Sequence, residues 1–137
     1  MIKSKIYINT DGGARKNPCP SAIGILVREE NGNILETFKE CIGEATNNTA
    51  EYQALIKALQ LAAKHTRGEV HVFMDSELVI RQMNGSYRIK KNHLLELFQH
   101  VKNCERPFNK VIYNHVPRDN QFQIKADELV NEALDGF

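Results

Sequence analysis

No stretch of this chain approaches the ~20 consecutive apolar residues that a membrane helix requires, so no membrane span is expected. Neither sign of charge dominates. Lys+Arg number 18 against 17 Asp+Glu, a formal net charge of +1. That balance argues against a strongly basic, non-specific nucleic-acid binder, and it leaves local charge open. The opening residues MIKSKIYIN carry no signal-peptide apolar stretch and no small-residue cleavage site. Cys19, Cys41 and Cys104 form no C-x-x-C pair, which argues against a disulfide framework and against a structural zinc site. A reducing, cytoplasmic setting is therefore expected. Repeats, linkers and low-complexity segments are also missing. A chain of 137 residues with 42% apolar and 26% charged side chains suits one domain over residues 1–137, not a disordered or coiled-coil chain.

What is present reads as alternating elements. Residues 2–10 alternate as a strand, with Ile6 and Ile8 on one side and Tyr7 and Asn9 on the other, and Asp11-Gly12-Gly13 supplies turn chemistry after it. Two prolines break residues 14–20. Residues 22–29 and 34–42 form two further strands around an Asn-Gly hairpin signal at 31–32. The period then becomes helical over 49–64, where Ala54, Leu55, Ala58, Leu59 and Ala62 recur. A short apolar strand (69–74), helices over 77–83 and 92–104, a strand over 110–116 and a helix over 124–134 follow. The resulting β-β-β-α-β-α-α-β-α order predicts an α/β fold with a five-stranded mixed sheet and helices on both faces.

Four carboxylates stand where a structural acid is out of place. Asp11 and Asp75 directly follow apolar strands, the carboxyl ends at which ligand sites gather in α/β sheets. Glu51 and Asp127 fall on the apolar stripes of their helices. Each has an ordinary alternative: a turn for Asp11, a helix N-cap for Asp75, a capping box over Asn48–Glu51, a solvated face for Asp127. Taken together the alternatives strain, because each apolar setting would accept alanine more easily than a desolvated carboxylate. If the four converge, their repulsion needs a counter-ion. Oxygen ligands without cysteine or paired histidine favour Mg²⁺ or Mn²⁺ over zinc. Two such ions can hold the attacking and leaving oxygens of phosphoryl chemistry.

The segments Thr10–Pro18 (TDGGARKNP), Thr46–Tyr52 (TNNTAEY), Met74–Glu77 (MDSE) and Ala126–Leu129 (ADEL) resemble, in order, the four signature segments of type 1 ribonuclease H, most closely its short archaeal and bacterial branch. The resemblance implies a ribonuclease H-like fold and a metal-dependent endonuclease that hydrolyses the RNA strand of RNA–DNA hybrids. Two Mg²⁺ ions per site (with Mn²⁺ as the other option) would serve it, leaving 5′-phosphate and 3′-hydroxyl ends. It assigns Asp11, Glu51, Asp75 and Asp127 as metal-binding and catalytic carboxylates, and Asn17, Thr46, Asn47 and Glu77 as substrate contacts. The expected partner is an RNA–DNA hybrid, the expected state a monomer.

Four features depart from the family pattern, the first being Cys19 at a turn position that is often glycine. Glu77 stands where many members have glutamine. Pro117 occupies the place of a catalytic-loop histidine, leaving Arg118, with His115 as the weaker candidate, for charge neutralisation near the leaving group or product release. No long basic insertion separates the two middle helices, and Ser86–His93 is the basic-aromatic stretch available for backbone phosphate. Rival readings are a nuclease of the same fold acting on double-stranded RNA or branched DNA, and a hybrid-binding module of weak catalysis.

Overall fold

The structure, a computed structural model, describes residues 2–15 and 19–136. Strands β1 (Lys3–Ala14), β2 (Ser21–Arg28), β3 (Ile34–Cys41), β4 (Thr66–Met74) and β5 (Lys110–His115) build one sheet in the order β3-β2-β1-β4-β5. The β1–β2 and β2–β3 pairs are antiparallel, whereas β1–β4 and β4–β5 are parallel. Helices α1 (Asn47–Ala62), α2 (Glu77–Met83), α3 (Asn92–Cys104) and α4 (Gln121–Leu134) complete the expected element order.

Strand alternation explains the layering. Ile6, Ile8, Ile23, Ile25, Val70 and Val72 turn to one face and share a core with α1, α2 and α3. On the other face α4 packs Val130, Ala133 and Leu134 with Ala22 and Cys19. The residues of opposite parity, Tyr7 and Asn9, lie on the α4 side, where Asn9 bonds to Gln123.

Several boundaries differ from the sequence reading, each for a local reason. β1 does not end at Thr10. Asp11, Gly12, Gly13 and Ala14 continue the antiparallel register opposite Gly24, Ile23, Ala22 and Ser21. The two glycines are therefore strand residues that admit close neighbours, not a turn. α1 starts at Asn47 because Thr46 caps it, its Oγ1 accepting from the Thr49 amide at 3.2 Å. α4 starts at Gln121 because the Asn120 side chain accepts from the amides of Phe122 and Gln123.

The cysteine expectation is corrected. Cys19 and Cys41, 22 residues apart, are joined in a disulfide, while Cys104 is free. The pairing arises from tertiary structure, which linear spacing does not reveal. Register sets Cys41 opposite Ala22, and the Cys19 amide is held by the carbonyl of Leu134 at the end of α4, so a fold-back onto α4 leaves Cys19 within bonding reach of Cys41. Among the described residues no helix is long and apolar enough to cross a membrane.

Candidate active site

β1 and β4 run parallel as neighbours, and their pairing ends at Asn9–Phe73. Asp11 lies two residues beyond that point, and Asp75 follows the last residue of β4. The two carboxylates thus leave adjacent strands at the same edge of the sheet. α1 brings in the third. A Cβ on Gly12 would stand only 2.5 Å from the Ala50 carbonyl carbon, so the bare glycine lets the helix backbone rest on the strand. At that approach the Gly12 amide donates to Glu51 Oε1 and also to Asp11 Oδ1. α4 delivers the fourth acid in the same way. A Cβ on Gly24 would stand 2.5 Å from the Ala126 carbonyl oxygen, which seats α4 on β2 with Asp127 at the same cavity.

The carboxylates of Asp11, Glu51 and Asp75 each offer an oxygen within 4.8 Å of the others. Asp127 lies outside that tight trio but lines the same cavity of about 400 Å³, with Gly12, Gly13, Arg15, Asn47, Ser76 and Arg118 among its walls. Asp127 is close enough to Asp11 to share a hydrogen bond with it when a proton is present. Neither Asp75 nor Glu51 is a cap. Ser76 caps α2, and Thr49, not Glu51, holds the N3 position of α1.

Asp11 and Glu51 are each only 7% exposed. Burial, then the charges of Glu51 and Asp75, pushes Asp11 well above the usual carboxylate range. Burial also raises Glu51, against hydrogen bonds from Asp11 and the Gly12 amide. Asp75 is raised by burial too, while its backbone hydrogen bond and Arg118 pull the other way. An adjacent pair of buried acids therefore retains a proton at neutral pH. Among the described residues little charge opposes it: Arg118 Nε lies 3.9 Å from Asp75 Oδ2 but its side chain is 86% exposed, so solvent screens the pair. Arg15, also at the rim, is engaged by Asp135. Clustered, under-neutralised carboxylate oxygens fit a hard divalent cation.

The other sequence candidates are distributed around this cavity. Asn47 lines it, whereas Thr46 is exposed and engaged in capping α1. Glu77 lines a neighbouring cleft with Arg81, Asn84, Ser86, Asn114 and His115. There it accepts from Arg81 Nε at 2.7 Å, and the Arg81 guanidinium lies 5.2 Å from the centre of the Tyr87 ring. His115 thus faces that cleft and Arg118 the acidic one. Asn17 lies outside the described residues. Sequence reasoning missed Asn131, whose Nδ2 donates to Asp127 Oδ2 at 3.3 Å, and Ser76, which lines the cavity while its hydroxyl caps α2. The four-residue spacing of Asn131 from Asp127 was the available signal.

Comparison with known proteins shows what the chain and its fold resemble. A family profile described as reverse transcriptase-like matches residues 9–133. The chain is 39% identical over 132 residues to the bifunctional protein Rv2228c of Mycobacterium tuberculosis, covering 96% of this chain and 36% of that one. It thus spans about a third of the length of such curated relatives. The solved N-terminal RNase H domain of Rv2228c superimposes with a TM-score of 0.88 at 38% identity, over 96% of this chain and 94% of that one. RNase H1 of Halobacterium salinarum gives 0.87 at 35%, over 95% and 97%. LC11-RNase H1, solved in complex with an RNA/DNA hybrid, gives 0.84 at 44%, over 94% and 96%.

Proposed function

The chain belongs to the type 1 ribonuclease H family, and on that premise we propose that it hydrolyses the RNA strand of RNA–DNA hybrids, leaving 5′-phosphate and 3′-hydroxyl ends. The observation that carries the reading is the meeting of Asp11, Glu51, Asp75 and Asp127 at one open cavity without matching cations among the described residues. Asp11, Glu51 and Asp75 would hold the divalent cations, Mg²⁺ or Mn²⁺, with Asp127 completing the site from α4. Bound there, the ions would lower the pKa of the attacking water and offset charge on the scissile phosphate and the departing oxygen.

The remaining work falls to the protein's own groups. The Gly12 amide keeps Glu51 turned to the cavity, and Asn131 holds one oxygen of Asp127. Both contacts limit the reorganisation left for the reaction itself. Arg118, exposed at the rim, supplies a movable positive charge for the leaving group or for product release. Asn17, Asn47 and Glu77 would contact the hybrid along its minor groove, where the 2′-hydroxyl distinguishes RNA from DNA. Thr46 and the Ser86–His93 stretch would meet backbone phosphate.

Cleavage of labelled hybrid, RNA–RNA and DNA–DNA duplexes in Mg²⁺, run for wild type and Asp75→Asn, tests this. Wild type should cut the hybrid alone. Asp75→Asn should lose nearly all cleavage yet still shift the hybrid in a binding gel. Equal cutting of RNA–RNA duplex, or full activity of Asp75→Asn, would refute the proposal.

A further inference from the structure

We propose that Gln123 is a positioning residue for the acidic site: its amide locks the start of α4 to β1 at the point where the pairing of β1 with β4 stops, and so sets where Asp127 stands relative to Asp11. Gln123 is fully buried, at 0% exposure. Its Nε2 donates to the Thr10 carbonyl at 3.0 Å, and its Oε1 accepts from Asn9 Nδ2 at 3.2 Å. Asn9, also buried, accepts through Oδ1 from Arg28 Nε at 3.0 Å. The Arg28 guanidinium in turn lies 3.8 Å from the centre of the Phe122 ring, on the residue next to Gln123. A closed polar circuit therefore joins β2, β1 and the first turn of α4.

The points of attachment are what connect this circuit to the site. Pairing of β1 with β4 stops at Asn9–Phe73, so beyond it the chain carrying Asp11 has lost its neighbour on that side. Gln123 takes hold one residue later, at the carbonyl of the peptide that leads into Asp11. Four residues on, one turn along the same face of α4, stands Asp127. One side chain thus governs both the peptide before Asp11 and the turn before Asp127. A methionine of similar length would fill the space without the desolvation penalty of an amide. What an apolar residue cannot do is choose a single axial and rotational setting of the helix, which a buried, satisfied amide does.

The inference rests on the acidic cavity being a divalent-cation site, and the experiment separates the two claims. Mn²⁺ binding is titrated by electron paramagnetic resonance of the free ion in wild type, Gln123→Met, Gln123→Asn and Val101→Ala. Val101→Ala trims a fully buried side chain of α3, within the core on the opposite face of the sheet from α4, and controls for lost stability alone. Gln123→Met should weaken Mn²⁺ binding roughly 10-fold, as loss of a group that orients metal ligands does. It should also lower kcat on hybrid more than it changes KM. Gln123→Asn, one methylene too short to reach both partners, should shift binding in the same direction, and it serves if the methionine variant does not fold. Val101→Ala should bind Mn²⁺ within about twofold of wild type, even with an equal or larger fall in melting temperature. Wild-type affinity in a folded Gln123 variant would overturn the positioning role while leaving the cation site intact. No Mn²⁺ binding by wild type would overturn the cation site itself.

Discussion

Replacing Asp11 by asparagine should stabilise the metal-free protein, and increasingly so as pH rises. Asp11 ordinarily ionises near 3.8, and in the fold it is pushed up to about 10, by burial first and then by Glu51 and Asp75. Between pH 5 and 8 the unfolded chain has released a proton that the folded protein keeps. Each pH unit then favours the unfolded state by about 1.4 kcal/mol per retained proton. The sign is opposite to that of a salt-bridged aspartate: a raised carboxyl loses stability as pH climbs above the unfolded value. One proton held by the Asp11–Glu51 pair across this window removes about 4 kcal/mol, a large share of the 5–15 kcal/mol typical of a domain. Asparagine keeps the shape and hydrogen-bonding reach but has no proton to retain. Urea denaturation in chelator at pH 5, 6, 7 and 8 should show the advantage of Asp11→Asn over wild type widening by about 2–4 kcal/mol. Millimolar Mg²⁺ should flatten the wild-type profile, because cation binding displaces the proton. Parallel pH profiles for the two proteins would refute the coupled-acid account of the site.

Two further perturbations probe the surroundings. Glu77→Gln removes an exposed ion pair with Arg81, so its stability should stay within about 0.5 kcal/mol. With one negative charge fewer beside substrate phosphates and Arg81 released, KM for hybrid should fall about 2–5-fold; an increase in KM would show that the carboxylate itself accepts from the substrate. Gly12→Ala forces a methyl to within 2.5 Å of the Ala50 backbone, which cannot yield like a side chain. It should cost about 2–4 kcal/mol by denaturant titration and take cleavage with it by moving Glu51, whereas a stable, active variant would mean α1 is free to shift.

The element order was legible because period-2 alternation at Ile6, Tyr7, Ile8 and Asn9 and helical spacing at Ala54, Ala58 and Ala62 are local properties of the chain. The glycines were misread for an equally physical reason. Gly12 and Gly13 beside an aspartate look like a turn, since turn chemistry and close packing both select the residue without Cβ. Only the partner helix tells the two apart, and Ala50 lies 38 residues away. The cysteines failed in the same manner. Cys19 and Cys41 meet through strand register and a fold-back onto α4, neither of which leaves a mark in their spacing.

The four acids that meet at the cavity were legible because each was locally inconsistent: a carboxylate at an apolar strand end or on an apolar stripe announces a desolvation cost. Gln123 announced nothing. The sequence reading starts the last helix at 124 and leaves this amide outside it; its reason appears only when α4, beginning at Gln121, docks and buries it against Asn9 and Thr10. The asymmetry has a mechanical basis. A charged ligand must contradict its own neighbourhood, whereas a neutral group that orients it needs only a partner far along the chain. The supporting layer of such a site is therefore written in contacts between elements, and a sequence read element by element passes over it even where the acids themselves stand out.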